Sequence, residues 1–306
     1  MGSNQALGRI SAWGGESQEA IIAMLEKGSN SYQGGAYNGG SNGAGRSSIV
    51  HHRIVDNPGG DAGTRPALFS GILPGDYTRI AATGRVKEFA RGEVLYLEGD
   101  SIHQVLLLTA GLVKLNKLGL SGTEVILRLG VPGDVLGALG VFSAGSHCTT
   151  AQAFRQCRAL VWDVSSFKAL VERFPVLHQN MARILGGHLL ELEERFREVA
   201  TERVGPRVAR QVLRLMEQVG KSVDGGVEIG LSREELAQMT GTTLFTVSRL
   251  LSAWEARGMV RPRREAVAIY DVPSLRAVGR GDESLCVVES APIRKPSYQK
   301  ALSAIA

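Results

Sequence analysis

The sequence predicts an α+β chain: an N-terminal double-stranded β-helix (jelly roll), one long helix and a C-terminal winged helix-turn-helix. Three observations predict it. Short apolar segments separated by glycine-rich turns run from Val86 to about Trp162, the texture of an all-β barrel or roll. Apolar residues then recur at steps of three and four from Leu177 to Val199, which makes one stripe on one continuous helix. Finally, "LSREELAQMTGTTLFTVSRLLSAWEARGMV", residues 231–260, sets a capping box, a glycine turn and a second apolar-faced helix in order.

In chain order, residues 1–66 read as a disordered N-terminal extension. "SNSYQGGAYNGGSNGAG", Ser29 to Gly45, is too poor in apolar residues to bury a core. A short amphipathic helix around Glu16–Glu26 is its one candidate element, and an assigned start placed too far upstream is the alternative. Residues 67–173 form the β-roll domain. Its strands are legible in "VKEFARGEVLYLEGD", in "QVLLLTAGLVKLNKLG" around Ala110-Gly111, in "EVILRLGVPGD" and in "ALVWDVSS". A short helix follows, with Ser165 or Ser166 as its cap.

Residues 174–204 form the long helix, which Pro175 suits as a first-turn residue. Its stripe of Leu177, Met181, Leu185, Leu189, Leu192 and Phe196 reads as a dimer seam; packing on its own β-roll is the alternative. Gly205-Pro206 is expected to break it. Residues 205–276 make the winged helix-turn-helix, and 277–306 a disordered C-terminal tail.

The chain of 306 residues carries a formal net charge of +5, which allows a nucleic-acid partner without requiring one. Between Gly205 and Arg276 there are 11 Lys and Arg against 8 Asp and Glu, a local excess of three positive charges. The three cysteines, Cys148, Cys157 and Cys286, are too few for a disulfide framework or a zinc ribbon, so a reducing cytoplasm is expected. No apolar run is long enough to span a membrane, and the N-terminus lacks a signal-peptide pattern. No metal-ligand spacing, nucleophile motif or paired-carboxylate site appears, so an enzyme is not expected.

In residues 231–260, Ser232 and Glu235 start the first helix, and Gly241 permits the sharp turn. Thr242 or Thr243 caps the second helix, and Val247, Leu250, Leu251 and Trp254 form its buried face. The N-terminal half of such a second helix enters the major groove of double-stranded DNA. The candidate readers are Thr242, Thr243, Leu244, Phe245, Ser248 and Arg249. Arg249 can fork onto a guanine edge or meet a phosphate. Leu244 and Phe245 can touch thymine methyls or pack under the next helix. Arg261, Arg263 and Arg264 at the wing are candidate phosphate contacts, with a solvated charge cluster as the alternative.

These pieces together, "RGEVLYLEGD", "LTAGLVKL", "PGDVLGALGVF", "LSREELAQMTGTTLFTVSRLL" and "GMV", resemble the Crp/Fnr family of bacterial transcription regulators over residues 68–276. The resemblance implies a homodimer reading a near-palindromic operator, an effector domain of the cyclic-nucleotide-binding type, and RNA polymerase as a candidate partner. It also places an effector pocket at Gly137, Ala138, Leu139, Cys148, Thr149 and Leu192. Where cyclic-AMP-binding members hold the ribose with a Glu, this chain has Ala138. Where they meet the phosphate with an Arg followed by Ser or Thr, it has Cys148 and Thr149. The Thr-Ser pair of their long helix falls at Leu192 and Glu193. Cyclic AMP binding is therefore not expected.

No cofactor is expected. A haem, with His103, His147, His178, His188 and Cys148 as the available ligands, or an unidentified small molecule, is the open effector class. A Cys148–Cys157 thiol switch is a further candidate. The alternative function is a nucleotide- or metabolite-sensing module that acts on a protein partner.

Overall fold

The computed structural model describes residues 65–141 and 145–282; the helix expected at 16–26 and most of both expected tails lie outside them. The residues fall into two compact units divided between Glu191 and Leu192, and the observed architecture is the expected α+β one.

The first unit opens with a 3-10 turn, Ala67–Phe69, and helix α1, Pro74–Thr83. Helix α1 was not expected from the sequence. Its signals are local: Pro74 in the first turn, and Tyr77, Ile80 and Ala81 at helical spacing on the buried face. Eight strands follow: β1 Arg85–Phe89, β2 Val94–Tyr96, β3 Gln104–Ala110, β4 Val113–Leu118, β5 Glu124–Gly130, β6 Val135–Leu136, β7 Thr150–Ala153 and β8 Cys157–Asp163. A single turn of helix, α2, Ala138–Val141, lies between β6 and β7. The strands form two antiparallel four-stranded sheets, ordered β1-β8-β3-β6 and β2-β7-β4-β5.

The run of leucines in β3 now has its reason. Leu106 and Leu108 face the core of the β-roll with Phe89, Val113, Ala151, Ala159 and Val161. Val105 and Leu107 face the other way, into a second core with Phe69, Ile80, Trp162 and Phe167. Helices cover the outer face of this sheet, so its central strands are apolar on both faces. Trp162 donates its indole N–H to Thr83 Oγ1 at 2.9 Å, which satisfies the one polar atom of a fully buried ring.

Helix α3, Val164–Arg173, is capped by Asp163 rather than by Ser165 or Ser166. The carboxylate accepts from the Ser165 hydroxyl at 2.6 Å and from the Ser166 backbone N–H at 2.9 Å. These bonds hold Asp163 down to about 2. A carboxylate outcompetes a hydroxyl for the orphan N–H groups of a helix start.

Helix α4, Pro175–Thr201, is the long helix. Its first two expected seam positions are corrected here. Leu177 and Met181 are buried in the outer core of the β-roll, with Ile184 packed beside them. Buried Asn180 ties the same face down by donating to the carbonyls of Leu68 at 2.9 Å and Ser70 at 2.7 Å. Further along, Leu185 is half-buried, while Leu189, Leu190, Leu192, Phe196 and Val199 are exposed. One apolar period thus runs from a buried face onto an exposed one, a change that a stripe alone cannot reveal.

The second unit holds the end of α4 and then α5, Val204–Val219. The break falls at residues 202–203, and Gly205-Pro206 sits in the first turn of α5, where a missing N–H costs nothing. Strands β9 Lys221–Val223 and β10 Gly226–Ile229 lead to α6, Arg233–Thr240, and α7, Leu244–Ala256. The wing is β11 Val260–Pro262 and β12 Val267–Ile269, in a sheet ordered β11-β12-β10-β9. Helix α8, Val272–Gly279, runs past the expected domain end at 276.

Gly111, between β3 and β4, has φ 83°, and a Cβ there would meet Gln156 O at 2.2 Å and Cys157 Cα at 2.5 Å. Both are backbone atoms with no freedom to withdraw. Gly111→Ala is expected to destabilise the first unit by about 2–5 kcal/mol, from left-handed strain plus overpacking, read as a lower urea midpoint.

Candidate nucleic-acid interface and effector pocket

The helix-turn-helix is built by local bonds. The Ser232 hydroxyl accepts from the Glu235 N–H at 3.2 Å, and the Glu235 carboxylate accepts from the Ser232 N–H at 2.7 Å. This reciprocal capping box starts α6. Gly241 ends α6 with φ 59° and ψ 44°, a conformation that costs other residues about 1 kcal/mol or more. Thr243 then caps α7, accepting from the Thr246 N–H at 3.2 Å. Buried Arg207, from α5, donates to Thr240 O at 2.8 Å and to Glu202 O at 3.2 Å. It supplies a partner to the last turn of α6 and fixes that turn to the start of α5.

With Val247, Leu250, Leu251 and Trp254 buried, the opposite face of α7 is left to solvent. Thr243, Leu244, Phe245 and Arg249 are exposed, and Thr242 and Ser248 half-buried. The Arg249 guanidinium lies over the Phe245 ring, 5.7 Å from its centroid. On the wing, Arg261, Arg263 and Arg264 are all exposed. Arg261 lies over Tyr270 at 5.6 Å, and Arg263 pairs with Glu228 at 2.8 Å. Arg261 and Arg263 line one open depression with Asp224 and Tyr270.

The expected effector pocket is only partly assembled from its predicted residues. Gly137 has φ 82°, and a Cβ there would stand 2.9 Å from Gln104 O and 3.2 Å from the His147 ring. Gly140 is tighter still, with Ser146 O only 2.4 Å from the position of a Cβ. These glycines are demanded by close packing. Ala138 is buried in α2 and Thr149 half-buried; Leu139 and Cys148 are exposed, and Leu192 is an exposed residue of the second unit.

At the centre of this region stand Tyr96, which the sequence did not single out, and His147, which the sequence offered only as an available haem ligand. Tyr96 and His147 stack with ring centroids 3.7 Å apart and planes at 8°. Tyr96 hydrogen-bonds with the Thr149 side chain and the Gly137 backbone, and burial pushes it up to about 12 despite the opposing pull of Arg128. The cassette itself holds no cation, but the neighbouring strands bring two. Arg128 on β5 pairs with Asp134 at 2.7 Å, and Lys117 on β4 pairs with Glu98 at 2.8 Å. Asp134 is itself fixed by the Val131 N–H at 3.1 Å. Each cation already has a carboxylate.

Cys157 is buried in the β-roll core, and that burial, with Glu93 nearby, raises its thiol to about 11, whereas Cys148 is exposed. The buried thiol thus stays protonated and poorly reactive, against the expected thiol switch. Among the described residues, no group of three or more His, Cys, Asp or Glu is placed to hold a metal ion. None of the described helices is long and apolar enough to cross a membrane.

Residues 86–174 match the cyclic nucleotide-binding domain family, and residues 206–278 match the Crp-like helix-turn-helix domain family. The two matches follow each other in the order that the fold presents. The chain belongs to the Crp/Fnr family of transcription regulators. This Crp/Fnr regulator is 25% identical over 209 residues to the "CRP-like cAMP-activated global transcriptional regulator" of Mycobacterium tuberculosis, spanning 68% of this chain and 93% of that protein. It is 27% identical over 214 residues to the "Cyclic AMP receptor protein" of Thermus thermophilus, spanning 70% and 97%. A "Global nitrogen regulator" of Synechococcus elongatus matches at 27% over 196 residues, spanning 62% and 88%.

Among solved structures, the c-di-GMP-responsive global regulator CLP of Xanthomonas campestris superposes with a TM-score of 0.59 at 20% identity, covering 65% of this chain and 99% of that one. A CRP-family regulator of Thermus thermophilus gives 0.56 at 24%, covering 63% and 96%. At these identities the superpositions carry the fold alone. As a member of the family, this Crp/Fnr regulator is a DNA-binding transcription regulator with a helix-turn-helix.

Burial lowers the pKa of His147, and burial together with Arg128 lowers that of His188. A histidine whose pKa is depressed on folding stabilises the fold while neutral, and that stability is lost as pH falls below the ordinary value of about 6.5. The melting temperature is therefore expected to drop between pH 7 and pH 5. The drop should be smaller in His147→Gln, measured by paired thermal melts.

Proposed function

We propose that the regulator acts as a homodimer that binds a near-palindromic operator through two copies of α7, in the cytoplasm and with RNA polymerase as a downstream partner. Its output is occupancy of DNA rather than a chemical step. The observation that carries this reading is the row of Leu189, Leu190, Leu192, Phe196 and Val199, large apolar side chains left exposed on one long helix. Contiguous exposed apolar surface marks an interface, and on a helix with this period a second copy of the same helix fits it. Only the later part of the expected seam takes part, because Leu177 and Met181 are already used by the β-roll. A dimer would present its two recognition helices about one DNA turn apart.

In this reading Thr242, Thr243, Leu244, Phe245, Ser248 and Arg249 face base edges, and Arg261, Arg263 and Arg264 face phosphates. The effector domain does not use cyclic AMP. Ala138 and Cys148 offer neither a carboxylate for ribose hydroxyls nor a guanidinium for the phosphate. A charge-assisted hydrogen bond is worth about 1.5–3 kcal/mol, so losing both costs orders of magnitude in affinity. Lys117 and Arg128 do not replace them, since each is held by its own acid. Titration calorimetry is expected to give no micromolar binding of cyclic AMP or cyclic GMP.

Leu189→Glu puts a charge into the seam and should convert the protein to a monomer with loss of tight operator binding, read by light scattering and gel shift. A monomeric wild type would refute the seam. Arg249→Ala should cost about 1–3 kcal/mol in specific binding and relax preference at one base pair per half-site. An equal loss on every sequence would reassign Arg249 to a phosphate.

A further inference from the structure

Helix α7 exposes two large apolar side chains on the face that reads DNA. Leu244 is 51% exposed and Phe245 70% exposed, both in its first turn. They are not surplus from the core, because Val247, Leu250, Leu251 and Trp254 already fill the buried side. Nor is the face generally apolar: Thr243 precedes the pair, and Ser248 and Arg249 follow it. The first turn carries no acid, and the one acid of α7, Glu255, lies at its far end. This end of the helix suits an anionic polymer, yet its most prominent groups are a ring and an isobutyl chain.

The major groove presents one apolar group among its polar edges, the C5-methyl of thymine. The position of Arg249 makes the match sharper. Its guanidinium rests over the Phe245 ring at 5.7 Å, and cation–π attraction holds the fork against the ring face. Ring and fork therefore form one surface, with a planar pair of donors on one side and an apolar flank on the other. A guanine offers O6 and N7 to such a fork, and an adjacent thymine offers its methyl to such a flank.

We propose that Phe245 and Arg249, with Leu244 beside them, read a thymine next to a guanine as one unit, and that the thymine is recognised through its 5-methyl group. This inference rests on the reading of α7 as the base-reading helix. Phe245 is a specificity-determining residue in two ways: it contacts the methyl, and it positions the guanidinium. The two recognition events are consequently coupled, and loss of the ring weakens both.

The full chain is used to select duplexes from a random library at about physiological salt. Each thymine of the selected site is then replaced singly by deoxyuridine, which deletes only the methyl, and each guanine by 7-deazaguanine, which deletes only N7. Affinities of wild type and Phe245→Ala are measured by fluorescence anisotropy, with melting temperature as the check on folding. For the wild type, one or two uridines per half-site should weaken binding by about fourfold each, the transfer free energy of one buried carbon group. These should lie beside the guanine whose N7 matters most. In Phe245→Ala the uridine effect should vanish and the 7-deazaguanine effect should shrink, with melting unchanged.

Equal binding of thymine and uridine at every position overturns the inference while leaving DNA reading by α7 intact. So does a uridine effect that Phe245→Ala retains, or an unchanged 7-deazaguanine effect in that variant. If no sequence is enriched at all, base reading by α7 falls, and this inference falls with it. Full DNA affinity and specificity in Phe245→Ala would give the apolar pair to a protein partner instead.

Discussion

The second unit depends on one buried carboxylate. Glu198, near the end of α4, is 1% exposed, and Arg214 of α5 grips both of its oxygens. Arg210, one turn earlier on α5, meets the same carboxylate at 3.0 Å and also pairs with Glu202. Removing one member of such a buried cluster leaves an uncompensated charge and costs about 3–5 kcal/mol. The cluster explains why the compact division falls inside α4, at Glu191/Leu192, rather than at the break of residues 202–203. The last turns of α4 are bonded to α5, and α5 in turn carries Arg207, which holds the end of α6. The helix-turn-helix is thus seated on an electrostatic joint buried within its own unit.

What the sequence could and could not reveal follows from the range of the interactions. The capping box at Ser232 and Glu235, the left-handed Gly241 and the Thr243 cap all act within a few residues, so the helix-turn-helix was legible at residue level. The apolar run of β3 was readable as strand, but its burial on both faces needs α1, α3 and α4 in place. The stripe on α4 was readable as apolar, but its period does not say that Leu177 and Met181 belong to the β-roll while Leu189 and Phe196 stay exposed. Least legible was the effector region. Tyr96 and His147 meet although they stand 51 positions apart in the chain, and Arg128 is recognisable only once β5 and the turn before β6 bring Asp134 to it.

Gly137 belongs to the effector pocket that the resemblance implies, and Gly140 lies three residues further on. Their roles are steric: Gly137 turns the chain beside the His147 ring, and Gly140 passes close to the Ser146 carbonyl. A glycine-rich stretch records where backbone comes close to something, and here that something is the protein itself. The residues that give the region its character are Tyr96, with its hydroxyl kept neutral, and a stacked histidine kept neutral as well.

The pairing of Arg128 with Asp134 and of Lys117 with Glu98 has a consequence for selectivity. Each acid is a tethered competitor for its cation, present at an effective concentration on the order of millimolar or more. A dissolved anion entering the region competes with a ligand that never diffuses away, and gains only the difference between the two contacts. Asp134, anchored by the Val131 N–H, has little conformational freedom left to lose. An anion placed there gains less from Arg128 or Lys117 than it would from an unpaired cation.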